Sequence, residues 1–79
     1  MLGQIIYINT ETNNFCIATK NGKGTICNVS NINDIKIGDY IEFENKFNCT
    51  NFYNSRTERI SASVIYLDID ISRASEYCK

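Results

Sequence analysis

The chain has 79 residues, of which 43% are hydrophobic and 22% charged, and its formal net charge is −1. That length holds one small domain, and that composition excludes a disordered segment. The nearly balanced charge weighs against a protein whose main business is gripping duplex nucleic acid, which takes many Lys and Arg contacts to phosphate.

In chain order, Gly3 to Asn9 is rich in β-branched and aromatic residues and reads as a first strand, followed by a polar connection over Thr10 to Asn14. Phe15 to Lys20 is a second strand and Thr25 to Val29 a third. The turn between them falls on residues 21–24, where Asn21-Gly22 accepts positive φ. Strand side chains alternate between two faces. The expected phase puts Phe15, Ile17, Ile26 and Asn28 on an exposed face, with Cys16, Ala18, Thr25 and Cys27 packed inside. Ser30 to Ile37 is a short link with room for one helical turn, and Gly38-Asp39 is a turn. Tyr40 to Glu44 alternates strictly, placing Ile41 and Phe43 inside and Glu42 and Glu44 outside. Residues 45–59 form a long Asn-rich loop in which Phe47, Phe52 and Tyr53 either cap the core or line one end of a groove. Ile60 to Leu67 is a fifth strand that Asp68 to Ile71 can prolong, and Ser72 to Tyr77 suits a helical turn. Five short strands without a long helix predict an all-β fold, a five-stranded Greek-key barrel over residues 1–67 with a C-terminal extension over 68–79.

At this point the chain resembles a cold-shock domain, the compact form of the OB fold, across residues 3–67. Gly3-Gln-Ile-Ile-Tyr7-Ile-Asn9 is similar to the family's opening Gly-x-Val-Lys-Trp-Phe-Asn. Asn14 to Ala18 stands where the family has Gly-Phe-Gly-Phe-Ile, and Thr25 to Ile32 where it has Val-Phe-Val-His-x-Ser-x-Ile. Gly38 to Glu44 resembles its Gly-x-x-Val-x-Phe strand, and Ile60 to Val64 its closing Ala-x-x-Val. The resemblance implies binding of single-stranded RNA or DNA, RNA preferred, with Tyr7 and Phe15 stacking bases and Ile17 and Ile26 in apolar contact. Asn28 is then placed to hydrogen-bond a base edge, and Lys20, Lys23, Arg56 and Arg59 to meet phosphates. The departures are as telling: Tyr7 replaces a tryptophan, Ile17 and Ile26 replace phenylalanines, and Asn28 replaces a histidine. Each lost aromatic platform removes about 1–3 kcal/mol of stacking. An exposed Ile-rich face serves a protein partner or a homodimer equally well, and this reading stands beside the first.

The charge distribution fits either reading. Residues 1–33 hold Lys20 and Lys23 against Glu11. Asp34, Asp39, Glu42 and Glu44 crowd around Lys36, and Lys46, Arg56 and Arg59 face Glu58. Such an order leaves one mildly basic face and one acidic face. No catalytic constellation stands out: the chain has no histidine, no phosphate-binding glycine loop and no nucleophile beside a base, so it reads as non-enzymatic and without a cofactor. Cys16, Cys27, Cys49 and Cys78 lack the close pairing of a zinc site, and Cys16 and Cys27 read as small core residues. Asp68, Asp70 and Glu76 read as a solvent face rather than a metal site. The longest apolar run, Ile5 to Ile8, is too short to cross a bilayer, and Met1 to Gln4 has no basic start or cleavage site. The expected location is cytoplasmic, where thiols stay reduced and the triplets Asn28-Val-Ser30 and Asn48-Cys-Thr50 receive no glycan.

Overall fold

The computed structural model describes residues 2–46, 49–53, 56 and 58–79. The expectations for Phe47, and those for the side chains of Phe43, Glu44, Lys46, Cys49 and Phe52, lie outside the described residues. The strands are β1 (Leu2–Asn9), β2 (Asn14–Ala18), β3 (Lys23–Val29), β4 (Tyr40–Lys46), β5 (Cys49–Tyr53), β6 (Arg59–Ile60) and β7 (Ala62–Asp70). A 3₁₀ turn follows β3 at Ile32–Asp34, and a second, at Ile71–Arg73, leads into the short helix α1 (Ala74–Tyr77). The class is all-β, as the alternating pattern predicts.

All ladders are antiparallel, and the sheet runs in the order β6-β5-β4-β1-β2-β3-β7. Five strands closed into a barrel were expected; seven strand segments form one sheet instead. Its outermost strands, β6 and β7, share no ladder among the described residues, although Ser61 alone separates them in sequence. The residues expected to be a loop before Arg59 include β5, which pairs with β4 from Glu42↔Tyr53 to Lys46↔Cys49. The last long strand runs on through Asp70, within the extension over Asp68 to Ile71 that its alternation allows.

The phase of β2 against β3 differs from expectation, and the hairpin loop explains why. A turn of four residues over 21–24, an even number, puts Phe15, Ile17, Ile26 and Asn28 on one face. Here the Thr19 N–H donates to the Lys23 carbonyl at 2.9 Å, so the three residues 20–22 form the loop, with Asn21 at φ 61 and Gly22 at φ 70. The odd loop changes that phase: Phe15 faces Cys27, Cys16 faces Ile26 and Ile17 faces Thr25. A slip of one position carries each side chain of a strand to the other face.

Neither face of this hairpin is exposed. Phe15, Ile17 and Cys27 lie in the main core with Ile5, Val29, Ile35, Ile41 and Ile60, all buried. Cys16 and Ile26 belong to a second cluster with Ile69, Ala74 and Cys78 on the opposite side. Phe15, Ile17 and Ile26, expected on the surface, are each 0% exposed. β1 approaches β2 closely at Gly3, where an added Cβ would strike the Ile17 side chain and lie 2.8 Å from the Ala18 carbonyl oxygen. A shift of register between Ile5 and Tyr7 then leaves both Ile6 and Tyr7 on the outside.

A buried phenyl ring and a surface tyrosine respond differently to truncation. Phe15→Ala is expected to lower the unfolding free energy in urea by about 3–5 kcal/mol, whereas Tyr7→Ala lowers it by less than about 1 kcal/mol.

Candidate functional site

Residues paired across an antiparallel ladder share a face of the sheet. Tyr7 pairs with Cys16, Cys16 with Ile26 and Ile26 with Tyr66, so these four form one row across β1, β2, β3 and β7. The adjacent row is Asn9, Asn14, Asn28 and Ser63. The first row has tyrosines at its ends and buried apolar side chains between them; the second is polar throughout. Asn28 Nδ2 donates to Asn14 Oδ1 at 2.8 Å and to the Thr12 carbonyl at 3.0 Å. Asn9 Oδ1 accepts from the Glu11 N–H at 3.0 Å, which fixes the turn after β1.

Residues 71–79 cover this face. Asp70 opens the segment by accepting from the Ser72 N–H and hydroxyl at 3.2 and 3.0 Å, and these bonds hold its carboxyl below the usual range. Ala74 and Cys78 pack onto Cys16, Ile26 and Ile69. Tyr77 meets the edge of Tyr66 with ring centroids 5.2 Å apart, and the Arg73 guanidinium lies 5.5 Å from the centre of the Tyr77 ring. The asparagine row reaches the segment's main chain: Asn9 Nδ2 donates to the Cys78 oxygen at 3.0 Å and Asn14 Nδ2 to the Lys79 oxygen at 2.9 Å.

The nine residues expected to bind nucleic acid are thus dispersed. Tyr7, 38% exposed, and half-buried Asn28 share the covered face. Ile26 points to that face but is sealed beneath the segment, while Phe15 and Ile17 point into the main core. Lys20 lies in the β2–β3 loop and Lys23 at the start of β3, and both line a groove with Leu2, Thr19, Asn21 and Asp68. Arg56 and Arg59 sit on and before β6, where the Arg56 guanidinium donates to Glu58 at 2.8 Å. Asn9, Asn14 and Tyr66 were not among the expected site residues: Asn9 lies two residues from Tyr7 on the same face of β1, whereas only cross-strand register brings Asn14 and Tyr66 to that face.

A second surface lies on the outer side of β1, β4, β5 and β6. Leu2 pairs with Glu42, Glu42 with Tyr53 and Tyr53 with Arg59, and Gln4 pairs with Tyr40 in the neighbouring row. All six are exposed, Leu2 by 62% and Tyr40 by 53%. The buried residues Gly3 and Ile41 alternate with them and point to the core.

The thiols answer to burial. Burial pushes the Cys16 thiol up to about 11, with Cys78 nearby adding to the shift. Cys27 is raised further, and Cys78 is raised, in both cases chiefly by burial. Such thiols are neutral, unreactive packing groups. No protein-family model, curated protein or solved structure matches the chain.

The raised thiol values carry a sign for stability. An acid whose folded pKa exceeds its unfolded value contributes stability that is complete below the unfolded value and lost as pH rises through the folded one. Urea midpoints are therefore expected to fall between the ordinary thiol value of 9.0 and about 11, and Cys16→Ala is expected to flatten part of that fall.

Proposed function

We propose that the chain is a divergent relative of the OB and cold-shock domains, with its sheet open rather than closed into a barrel, that serves as a self-associating protein-interaction module. The topology is supported by β1 lying between β4 and β2, β3 lying against β7, and one residue joining edge strands β6 and β7. The function rests on one observation, the exposed row Leu2–Glu42–Tyr53–Arg59. Exposed apolar and aromatic side chains grouped on a small domain favour contact with another protein. The order of charges favours a second copy. A two-fold axis running along β5 above Tyr53 sets the two Tyr53 rings together and each Glu42 opposite the other copy's Arg59. Such a patch is complementary to itself. A net charge of −1 suits this use better than binding to a polyanion.

The row Tyr7–Cys16–Ile26–Tyr66 beside Asn9–Asn14–Asn28 favours a second reading, binding of single-stranded nucleic acid, RNA before DNA. Tyr7 and Tyr66 are the stacking groups in it, and the asparagine amides are the base-edge contacts. Phe15, Ile17 and Ile26 take no part while the fold is intact.

Sedimentation over a range of protein concentrations separates the two. A monomer–dimer equilibrium is expected. Glu42→Arg should weaken it by roughly tenfold or more, because like charges then face each other. Adding Arg59→Glu to Glu42→Arg should restore it. A monomer at every concentration overturns the module. Oligonucleotide binding at low salt that Tyr7→Ala weakens would then support the second reading.

A further inference from the structure

Residues 71–79 are tied to the sheet chiefly at their two ends. The Ile71 N–H donates to the Gly22 carbonyl at 3.1 Å beside the β2–β3 loop, and at the far end Asn9 and Asn14 hold the main-chain oxygens of Cys78 and Lys79. Between these anchors the segment buries only the small side chains Ala74 and Cys78, with Tyr77 half-buried. Helix α1 has four residues, too few to persist without packing. The Arg73–Glu76 ion pair at 3.1 Å lies within the segment, exposed to solvent, and ties it to nothing else. The opposite side of β2 and β3 differs in kind: there Phe15, Ile17, Ile5, Val29 and Ile41 interlock with no exposed surface.

We propose that residues 71–79 are a strap that lifts as a unit from Cys16, Ile26, Asn9 and Asn14 while the Phe15 core stays folded, so that strap opening uncovers these groups on the face where Tyr7 and Tyr66 are already exposed. Segments with few buried apolar contacts open at lower free energy than the core. Lifting the strap removes the acceptors to which Asn9 and Asn14 now donate, leaving two amide donors in the row beside Tyr7 and Cys16. A competing ligand must therefore supply oxygen acceptors where the strap now supplies its main-chain oxygens.

The cysteines report this motion. Cys16 lies under the strap and Cys78 within it, whereas Cys27 lies on the other side of the sheet. The full chain is exposed to iodoacetamide under native conditions, and each cysteine is followed separately by peptide mass mapping, so that Cys49 does not interfere. Cys16 and Cys78 should be alkylated at one shared rate, at least roughly tenfold above that of Cys27. Asn9→Asp keeps the turn-forming oxygen and removes the donor to Cys78. It should accelerate Cys16 and Cys78 together, and Tyr77→Ala should do the same, with Cys27 unchanged. Where a variant fails to fold, the unmodified chain in low urea serves instead. Cys16 and Cys78 should then show a shallower urea dependence than Cys27, since strap opening exposes less surface than global unfolding. One common rate and urea dependence for all three thiols overturns the proposal. So does fast labelling of Cys78 with Cys16 as slow as Cys27, which is fraying of the chain end alone.

Discussion

Burial of the β2–β3 hairpin on both of its faces is the constraint from which the remaining arrangement follows. On one side Phe15, Ile17 and Cys27 build the main core; on the other Cys16 and Ile26 need a cover, because a sheet with two apolar faces is stable only when both are packed. The strap is that cover. Its contacting side chains are small because the sheet beneath already carries isoleucines: Ala74 and Cys78 fit against Ile26 and Ile69. The two clusters therefore divide the labour unequally, with bulk on the Phe15 side and a thin layer on the strap side.

The polar groups of the covered face obey the same logic. Asparagines placed beneath a covering segment are costly unless they find partners. Here the row Asn9, Asn14 and Asn28 is satisfied by the strap's main chain, by the turn after β1 and by its own members. No buried side-chain nitrogen or oxygen among the described residues lacks a partner. The strap contributes a few hydrogen bonds worth about 1 kcal/mol each and two small buried side chains, whereas on the core side apolar burial dominates. The two molecular surfaces thus differ in character: the outer face of β1, β4 and β5 carries no covering segment among the described residues, whereas on the other face the chain itself covers Cys16 and Ile26 and leaves Tyr7 and Tyr66 exposed at the sides.

Much of the architecture was legible in residue order. The β-branched run of β1, the Asn21-Gly22 turn with positive φ, and the alternation that buries Ile41 and exposes Glu42 all correspond to features of the sheet. Strand β5 was hidden because Cys49 to Tyr53 is short, sits inside the Asn-rich stretch 45–59 and lacks the alternation of a half-buried strand. The site was less legible than the strands. Phe15 was expected on the surface because the small Cys16, Ala18, Thr25 and Cys27 were assigned to the interior, whereas the sheet is packed on both sides and buries both sets. The tyrosine and asparagine rows draw on four strands, and no local spacing connects Tyr7 to Tyr66.

The sequence by itself determined the all-β class, the limit to one small domain, the absence of histidine chemistry and the position of the hairpin, since composition, periodicity and turn preference act within a few residues of chain. Tertiary structure alone decided which face each side chain occupies, that residues 71–79 fold back over the sheet, and which polar residues become neighbours. Those outcomes depend on ladder register and on two-sided burial. A single extra loop residue reverses the faces of a strand without any change in its local pattern.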